Sequence, residues 1–593
     1  MKKILLFTLM VMLSTFFIYA QQKAVVWSED FEGDWTVNWH VDAGTWEVGT
    51  PTSGPNSAHG GTKCAATVLA GNYSEPVNSR LIRHTSFLVP SASENPRFRF
   101  WYWFSFAAAD YGEVQIKVGT ADWKTISDTF NNYGSNAWSY GSVDLSEYAG
   151  SMVQIGFYFH SQQEGYYSNV STGWYIDDVS LVTGPYVLNK PETFESGFGD
   201  WSVDEGTWEV GIPAGGPGQA HGGGNCVGTN LKGNYQEAAD SRLISPPFIV
   251  PAASNNPRFR FWYWFSFAAA DYGEVQIKVG TADWKTISNT FNNYGSNAWS
   301  YGSVDLSEYE GSTVRIGFYF HSQQEGYYSN VSTGWYIDDV SLVTGPYVLN
   351  KPETFESGFG DWSVDEGTWE VGIPTSGPGQ AHGGENSVGT NLKGNYQEPA
   401  DSRLITPPFN VPAATENPAI RFWHWFSFAA GDYGEVQITT DDGITWQSAS
   451  AKFINTSSGI WTPFYIPLSS YADKKVHLGF YFHSHQEGYY SNISTGWYID
   501  DINFDNIIWV KDEEIQKMNI YPNPFSEKTT IQFDDTDLSG YRLSVYNISG
   551  TKVLEMKDIR SDKIELEKGS LPAGIYIIEL KGSKVYRNKI IIR

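Results

Sequence analysis

Cysteine is almost missing from this chain: two in 593 residues are too few for a disulfide framework to carry its stability. They stand at Cys64 and Cys226, in matching positions of two repeats, and a third repeat has Ser387 there, so they read as small buried thiols that serine can replace. Basic residues are also scarce, 39 Lys and Arg against 66 Asp and Glu, for a formal charge of −27. That balance speaks against a nucleic-acid or anionic-membrane partner, which needs clustered cations to neutralise phosphates. It favours solubility and suits divalent cations. No H-E-x-x-H and no G-x-S-x-G occurs, so the zincin and hydrolase signatures are absent. No segment sustains a 3.6-residue apolar period, and beyond the first 20 residues no apolar run could span a bilayer.

What the chain does have is aromatic residues (16%), 59 glycines and 27 prolines, the composition of packed cores built from short strands and many turns. Lys2 and Lys3, an apolar run from Ile4 to Tyr19, and Ala20 before Gln21 follow the three-part pattern of a secretory signal peptide, with cleavage expected near Ala20–Gln21. No transmembrane segment is then expected to remain after cleavage.

Self-similarity organises the rest. "NPRFRFWYWFSFAAADYGEVQIKVGTADWKTIS" starts at Asn95 and returns residue for residue from Asn256, and a diverged copy starts at Asn417. The hexapeptide "GWYIDD" occurs at 173–178, 334–339 and 496–501, and its tryptophans are 161 and 162 residues apart. That spacing is domain-sized, not solenoid-sized. The reading is a signal peptide over 1–20, modules over 27–183, 191–344 and 352–505, a linker over 506–516 and a separate tail over 517–593. The identical joins "VTGPYVLNKPETFESGFGDW" at 182–201 and 343–362 carry proline and read as semi-rigid. From Asn519 onward, 12 Lys and Arg face 10 Asp and Glu, so the acidic excess belongs to the repeats.

Within a module, "RFRFWYWFSF" (97–106), "GEVQIKV" (112–118), "VQIGFYFH" (153–160) and "WYIDDVSLV" (174–182) read as strands. Alternation places Phe98, Phe100, Tyr102, Phe104 and Phe106 on one face and Trp101 and Trp103 on the other. Both faces are apolar, as in a central strand of a two-layer sandwich. The fold expected is all-β: three tandem jelly-roll β-sandwiches plus a small C-terminal Ig-like β-sandwich.

In regular β structure Asp177 and Asp178 face opposite ways, which disfavours a catalytic dyad at "GWYIDD". A structural cation such as calcium, taking carboxylate and carbonyl oxygens from several segments, is a second reading, and strand-end capping a third. A carboxylate also opens each module: Glu32 precedes Asp178 by 146 residues, Glu195 precedes Asp339 by 144, and Glu356 precedes Asp501 by 145. If first and last strands pair, these groups meet. The candidate metal ligands are therefore Glu32, Asp177 and Asp178; Glu195, Asp338 and Asp339; and Glu356, Asp500 and Asp501. "FHSQQEGYYSNVSTGW" (159–174) is the richest polar loop; tyrosine faces with amides and carboxylates suit a sugar. Its candidate ligand-binding residues are His160, Gln163, Glu164, Tyr166 and Tyr167, with His321, Glu325, Tyr327 and Tyr328, and His483, Glu487, Tyr489 and Tyr490, in the other copies. "GTWEVGIPTSGPGQAHGG" (367–384) reads as a Gly/Pro surface excursion, and "TTDDGITW" (439–446) as a hairpin turn.

The ordered set "FE…W", "GNY", "DSRLISPPF", "FRFWYWF", "GEVQI", "VRIGFYF" and "GWYIDDVSL" resembles the MAM-like jelly-roll modules of bacterial surface proteins, the accessory domains of immune-inhibitor-A metalloproteases and cleaved-adhesin domains. That resemblance implies an adhesive or binding role and calcium near the joined termini. Copy one departs with "SRLIRHTSF" for "SRLISPPF", which questions its local strand start. "YPNPF", "VYNISGTKV", "LPAGIYIIEL" and the basic "KVYRNKIIIR" resemble the C-terminal sorting domain of type IX secretion cargo. Their resemblance implies type IX secretion machinery as a partner, a secreted or outer-membrane cell-surface location, and membership of Bacteroidota. Together these point to a non-catalytic binding or adhesion protein for glycans or surface and matrix proteins, with an extracellular hydrolase or a passive stalk as the alternatives.

Overall fold

The structure is a computed structural model. It describes residues 23–506 and 518–593, apart from 132–133, 136, 164–168, 293–294, 297, 325–329, 455–458, 486–491, 536–539, 548–551 and 583. The signal-peptide segment and most of the expected linker lie outside the described residues.

Every repeat folds as two facing antiparallel sheets of six and five strands. In module 1, one sheet runs Glu47–Gly49, Cys64–Ala66, Gly173–Thr183, Arg97–Ser105 and Ser139–Asp144, with Ala24–Glu29 also paired to Gly173–Thr183. The other runs Trp39–Val41, Val77–Leu88, Met152–Ser161, Tyr111–Val118 and Lys124–Thr125. First and last strands do pair, Glu29 opposite Val179. In modules 2 and 3 that pairing shrinks to single bridges, Glu192 with Val340 and Glu353 with Ile502.

Alternation along Arg97–Ser105 places the core as expected: Phe98, Phe100, Tyr102 and Phe104 are buried, and Trp101 and Trp103 are half-buried on the outer face. Phe100 meets Phe157 edge-on at 5.1 Å between centroids, and Phe157 meets Trp174 at 5.6 Å, the geometry aromatic quadrupoles prefer. The substitution "RHTSF" lengthens a strand and leaves the fold intact. Val77–Leu88 is continuous over 12 residues, whereas the Pro-Pro of the other copies splits it into Asp240–Ile244 with Phe248–Ile249 and Ala400–Ile405 with Phe409–Asn410, because proline cannot donate to the ladder. Cys64 and Cys226 are free and buried, and burial pushes both thiols up.

The chain divides into two compact units, one of 1–411, 420–466 and 473–504 and the other of 412–419, 467–472 and 505–593. The tail has its own two sheets, of three strands (Asn519–Tyr521, Lys528–Gln532, Lys563–Glu567) and four (Lys552–Ile559, Tyr541–Asn547, Gly574–Lys581, Val585–Ile592). Ile531, Leu543, Val545, Ile578, Leu580 and Ile590 are fully buried between them.

Candidate functional site

The opening and closing carboxylates of each module converge on one loop, 59–63 in module 1. Glu32 Oε1 accepts the N–H groups of Thr62 and Lys63, both at 2.6 Å, and Oε2 accepts the Thr62 hydroxyl at 2.9 Å. The first of these backbone bonds is the main cause that holds the Glu32 carboxyl below its usual range. Asp177 Oδ2 accepts His59 N–H at 2.9 Å and Gly60 N–H at 3.1 Å, and Oδ1 accepts Asp178 N–H at 2.8 Å. Asp178 Oδ2 lies 2.6 Å from His59 Nδ1, and the His59 ring stacks on Trp101 at 3.7 Å.

Modules 2 and 3 repeat this clasp. Glu195 takes Gly224 and Asn225 N–H groups at 2.8 and 2.7 Å, and Glu356 takes those of Glu385 and Asn386, both at 2.9 Å. Asp338 and Asp500 hold the His221–Gly222 and His382–Gly383 amides at 3.0 and 3.1 Å. Asp339 and Asp501 pair with His221 and His382 at 2.6 Å. Burial pushes Asp177 up to about 6 and Asp338 and Asp500 up to about 7, against the pull of these amide bonds.

Two expectations need correction. Strict alternation does not hold at "GWYIDD": a register shift falls between Asp177 and Ser180, and Asp178 sits at φ 46°, so a bulge turns both carboxylates onto the same loop. The stretch ending "AHGG" is no mere surface excursion, because it supplies the loop that the clasp closes on. Its glycines are needed there: a Cβ on Gly60 would lie 2.7 Å from Asp178 Oδ2, and one on Gly61, at φ +58°, 2.4 Å from Glu32 Oε1. His59, His221 and His382 were missed; a triple "AHGG" was the available signal.

The opening Glu and closing Asp thus meet through the loop. Asp177, fully buried with three N–H bonds, is a backbone anchor. Glu32 and Asp178 are half-exposed on consecutive glycines and keep unused oxygen lone pairs, the hard-donor chemistry calcium takes. Among the described residues no group of three or more His, Cys, Asp or Glu side chains is gathered to hold a metal, so a cation here would need main-chain oxygens as well.

Of the polar-loop candidates, Glu164, Tyr166, Tyr167, Glu325, Tyr327, Tyr328, Glu487, Tyr489 and Tyr490 lie outside the described residues. The described ones root the loop. His160 Nδ1 lies 2.7 Å from Asn78 Oδ1, and His321 and His483 lie 2.7 Å from Asp240 and Asp401. Gln163 is exposed. In module 2, His321, Gln323, Gln324 and Asp240, with Asn131 of module 1, line an open hollow of about 430 Å³. A larger cleft, about 860 Å³, lies between modules 2 and 3 beside Lys285, Tyr309, Tyr347, Asp441 and Trp446. The "TTDDGITW" hairpin borders it, its flanks paired as expected, Gln437 with Ser448 and Ile438 with Gln447.

Residues 519–593 match the family "Secretion system C-terminal sorting domain". Bacillopeptidase F of Bacillus subtilis (strain 168) is 35% identical over 154 residues, 25% of this chain; the chain spans about a tenth of that relative's length, 10%. Among solved structures, TmCBM61 in complex with beta-1,4-galactotriose is 19% identical, covering 27% of this chain and 99% of its own, with a TM-score of 0.19. The glycoside hydrolase domain of Endo-D from Streptococcus pneumoniae R6 is 14% identical over 39% of this chain and 37% of its own, with a TM-score of 0.17. Scores this low bear on neither ligand nor activity.

Proposed function

We infer that the sorting domain marks this chain as a type IX secretion cargo, exported to the cell surface or the extracellular space. Among the described residues no helix is long and apolar enough to cross a membrane. We propose that the exported protein is a non-catalytic binding or adhesion protein whose repeats are MAM-like modules recognising glycans or glycosylated surface and matrix proteins. The cavity at the root of the polar loop carries this reading: an imidazole, a carboxylate and amides converge on one hollow, the group types that read sugar hydroxyls. The module-length match to Bacillopeptidase F, confined to a tenth of that protein, supports a portable unit rather than a complete enzyme.

The test is binding of the purified chain to glycan arrays, matrix proteins and cells, with polysaccharide and peptide turnover measured in parallel. Saturable binding that weakens at least tenfold in His321→Ala is expected. Turnover, or no binding at all, would overturn the reading. Calcium belongs to the same proposal as a structural ion, held by Glu32 and Asp178, Glu195 and Asp339, and Glu356 and Asp501, where it would offset paired carboxylates and tie the module ends together.

A further inference from the structure

Modules 1 and 2 each end in a surface that the next module fills. The outer edge of the Arg97–Ser105 and Ser139–Asp144 strands meets the segment 198–208 of module 2. Asp200 enters this edge: Arg97 lies 3.1 Å from its Oδ1, Arg99 pairs with the same oxygen, Lys23 reaches it at 3.0 Å, and Val187 N–H donates to Oδ2 at 2.9 Å. Burial alone would raise Asp200, but the Arg99 guanidinium and these donors hold it down at about 2. Phe198 packs on Trp101 and Tyr140 at 5.7 and 6.0 Å. The Tyr102 hydroxyl leaves its own core to reach Gly206 O at 3.4 Å.

The second joint repeats the first. Arg258 and Arg260 both lie 2.8 Å from Asp361, Phe359 packs on Trp262 and Tyr301 at 5.8 and 6.2 Å, and Tyr263 reaches Gly367 O at 3.5 Å.

The two outermost copies of this surface are changed. Module 1 has one more residue between Phe31 and Trp39 than module 2 has between Phe194 and Trp201; counted back from the tryptophan, the inserting pair Phe198 and Asp200 corresponds in module 1 to Thr36, which is exposed, and Asn38, with the half-buried Trp35 turned instead onto its own core. At the far end, the receiving residues Arg97, Tyr102 and Tyr140, and Gly141 beside Tyr140, correspond in module 3 to Ala419, His424, Pro463 and Phe464. In module 1 a Cβ at Gly141 would stand 2.5 Å from the Phe100 ring, whereas Phe464 of module 3 packs on Phe453 at 4.8 Å and on His424 at 5.8 Å. The third module therefore fills its own core edge from within.

A head-to-tail contact whose ends remained complementary would add further copies without limit, as heterologous interfaces do when they do not close. We propose that this edge is a one-way coupling surface, that its partner is the Phe-Gly-Asp-Trp segment of a following module, and that the end copies have lost complementarity so that the array stops at three. The protein then carries a fixed set of three coupled modules and is not a subunit that polymerises through them.

The test compares full-length chains by sedimentation velocity over about a hundredfold concentration range. The unaltered chain, and one carrying Thr36→Phe with Asn38→Asp, are expected at monomer mass. Adding Ala419→Arg, His424→Tyr, Pro463→Tyr and Phe464→Gly to that pair is expected to shift the mass to dimers and longer chains, and omitting Asn38→Asp to abolish the shift. Should the multiple variant fail to fold, a chain with only Ala419→Arg, His424→Tyr, Pro463→Tyr and Phe464→Gly is mixed with the Thr36→Phe, Asn38→Asp chain, and two-chain complexes are expected. Concentration-dependent association of the unaltered chain, or folded variants that stay monomeric in both designs, would overturn the proposal.

Discussion

Positions 102, 263 and 424 occupy one place in three sandwiches and face two situations. Tyr102 and Tyr263 are buried and send their hydroxyls into the next module; His424, equally buried, packs among Phe422, Phe453 and Phe464 of its own module. Burial pushes its imidazole down to about 4. The difference teaches that an interior module and an end module share a core but not an edge: where a neighbour supplies acceptors a tyrosine is satisfied, and where none follows the edge is refilled with rings. The clasps, by contrast, repeat the same backbone hydrogen bonds in all three copies, because each closes its own module.

The largest effects should therefore be common to the modules. Asp177→Ala, Asp338→Ala and Asp500→Ala each leave three amide donors unpaired at a buried site, a loss of about 3 kcal/mol. Urea unfolding followed by the tryptophans should show shifts equal within about 1 kcal/mol. Unequal shifts would break the equivalence of the clasps.

The next effect separates the copies. Unfolded histidine titrates near 6.5 and His424 near 4, so between these values the unfolded state holds more protons, and stability is lost as pH falls through that window. The loss approaches about 3 kcal/mol at the lower end. Comparing the unaltered chain with His424→Phe from pH 7 to 4 isolates it, since carboxylate titrations are common to both; a pH-independent difference would contradict the burial argument.

Smaller is the cation effect. Calcium should raise the melting temperature of the chelator-treated chain by a few degrees, as a ligand of the native state alone does, and Glu195→Gln with Asp339→Asn should remove the contribution of module 2. An unchanged melt would reduce the clasp to hydrogen bonds. The smallest is at the cysteine position. Ser387 is fully buried and its hydroxyl has no partner, so Ser387→Ala should gain about 1 kcal/mol, while Cys226→Ser should lose a similar amount.

Much of the fold was legible because strand periodicity survives in runs such as "RFRFWYWFS", where the inward Phe and Tyr are buried and the tryptophans are not fully covered. The pairing of opening and closing strands was legible from constant spacing. The clasp was half legible: Glu32 and Asp178 were singled out, but alternation hid the bulge that brings Asp177 and Asp178 together, since a bulge depends on one left-handed residue and leaves no period. The loop histidines were obscured by glycine and proline, whose spacing carries no face. The joints were read as short proline-bearing connections; that Asp200 inserts between Arg97 and Arg99 is a contact between modules, and in the sequence the altered residues at 36, 38, 419, 424, 463 and 464 betray it.

The most direct measurement sets the joint acids against their counterpart at the free end: equilibrium unfolding of the full chain with Asp200→Ala, Asp361→Ala or Asn38→Ala. Arg97, Arg258 and Arg260 are at most 5% exposed, so removing either aspartate strands buried cations, and a loss of about 3–5 kcal/mol is predicted, with less than about 1 kcal/mol for Asn38→Ala. Equal and small losses at all three positions would contradict the account, because the modules would then be independent beads and the altered ends would have nothing to terminate.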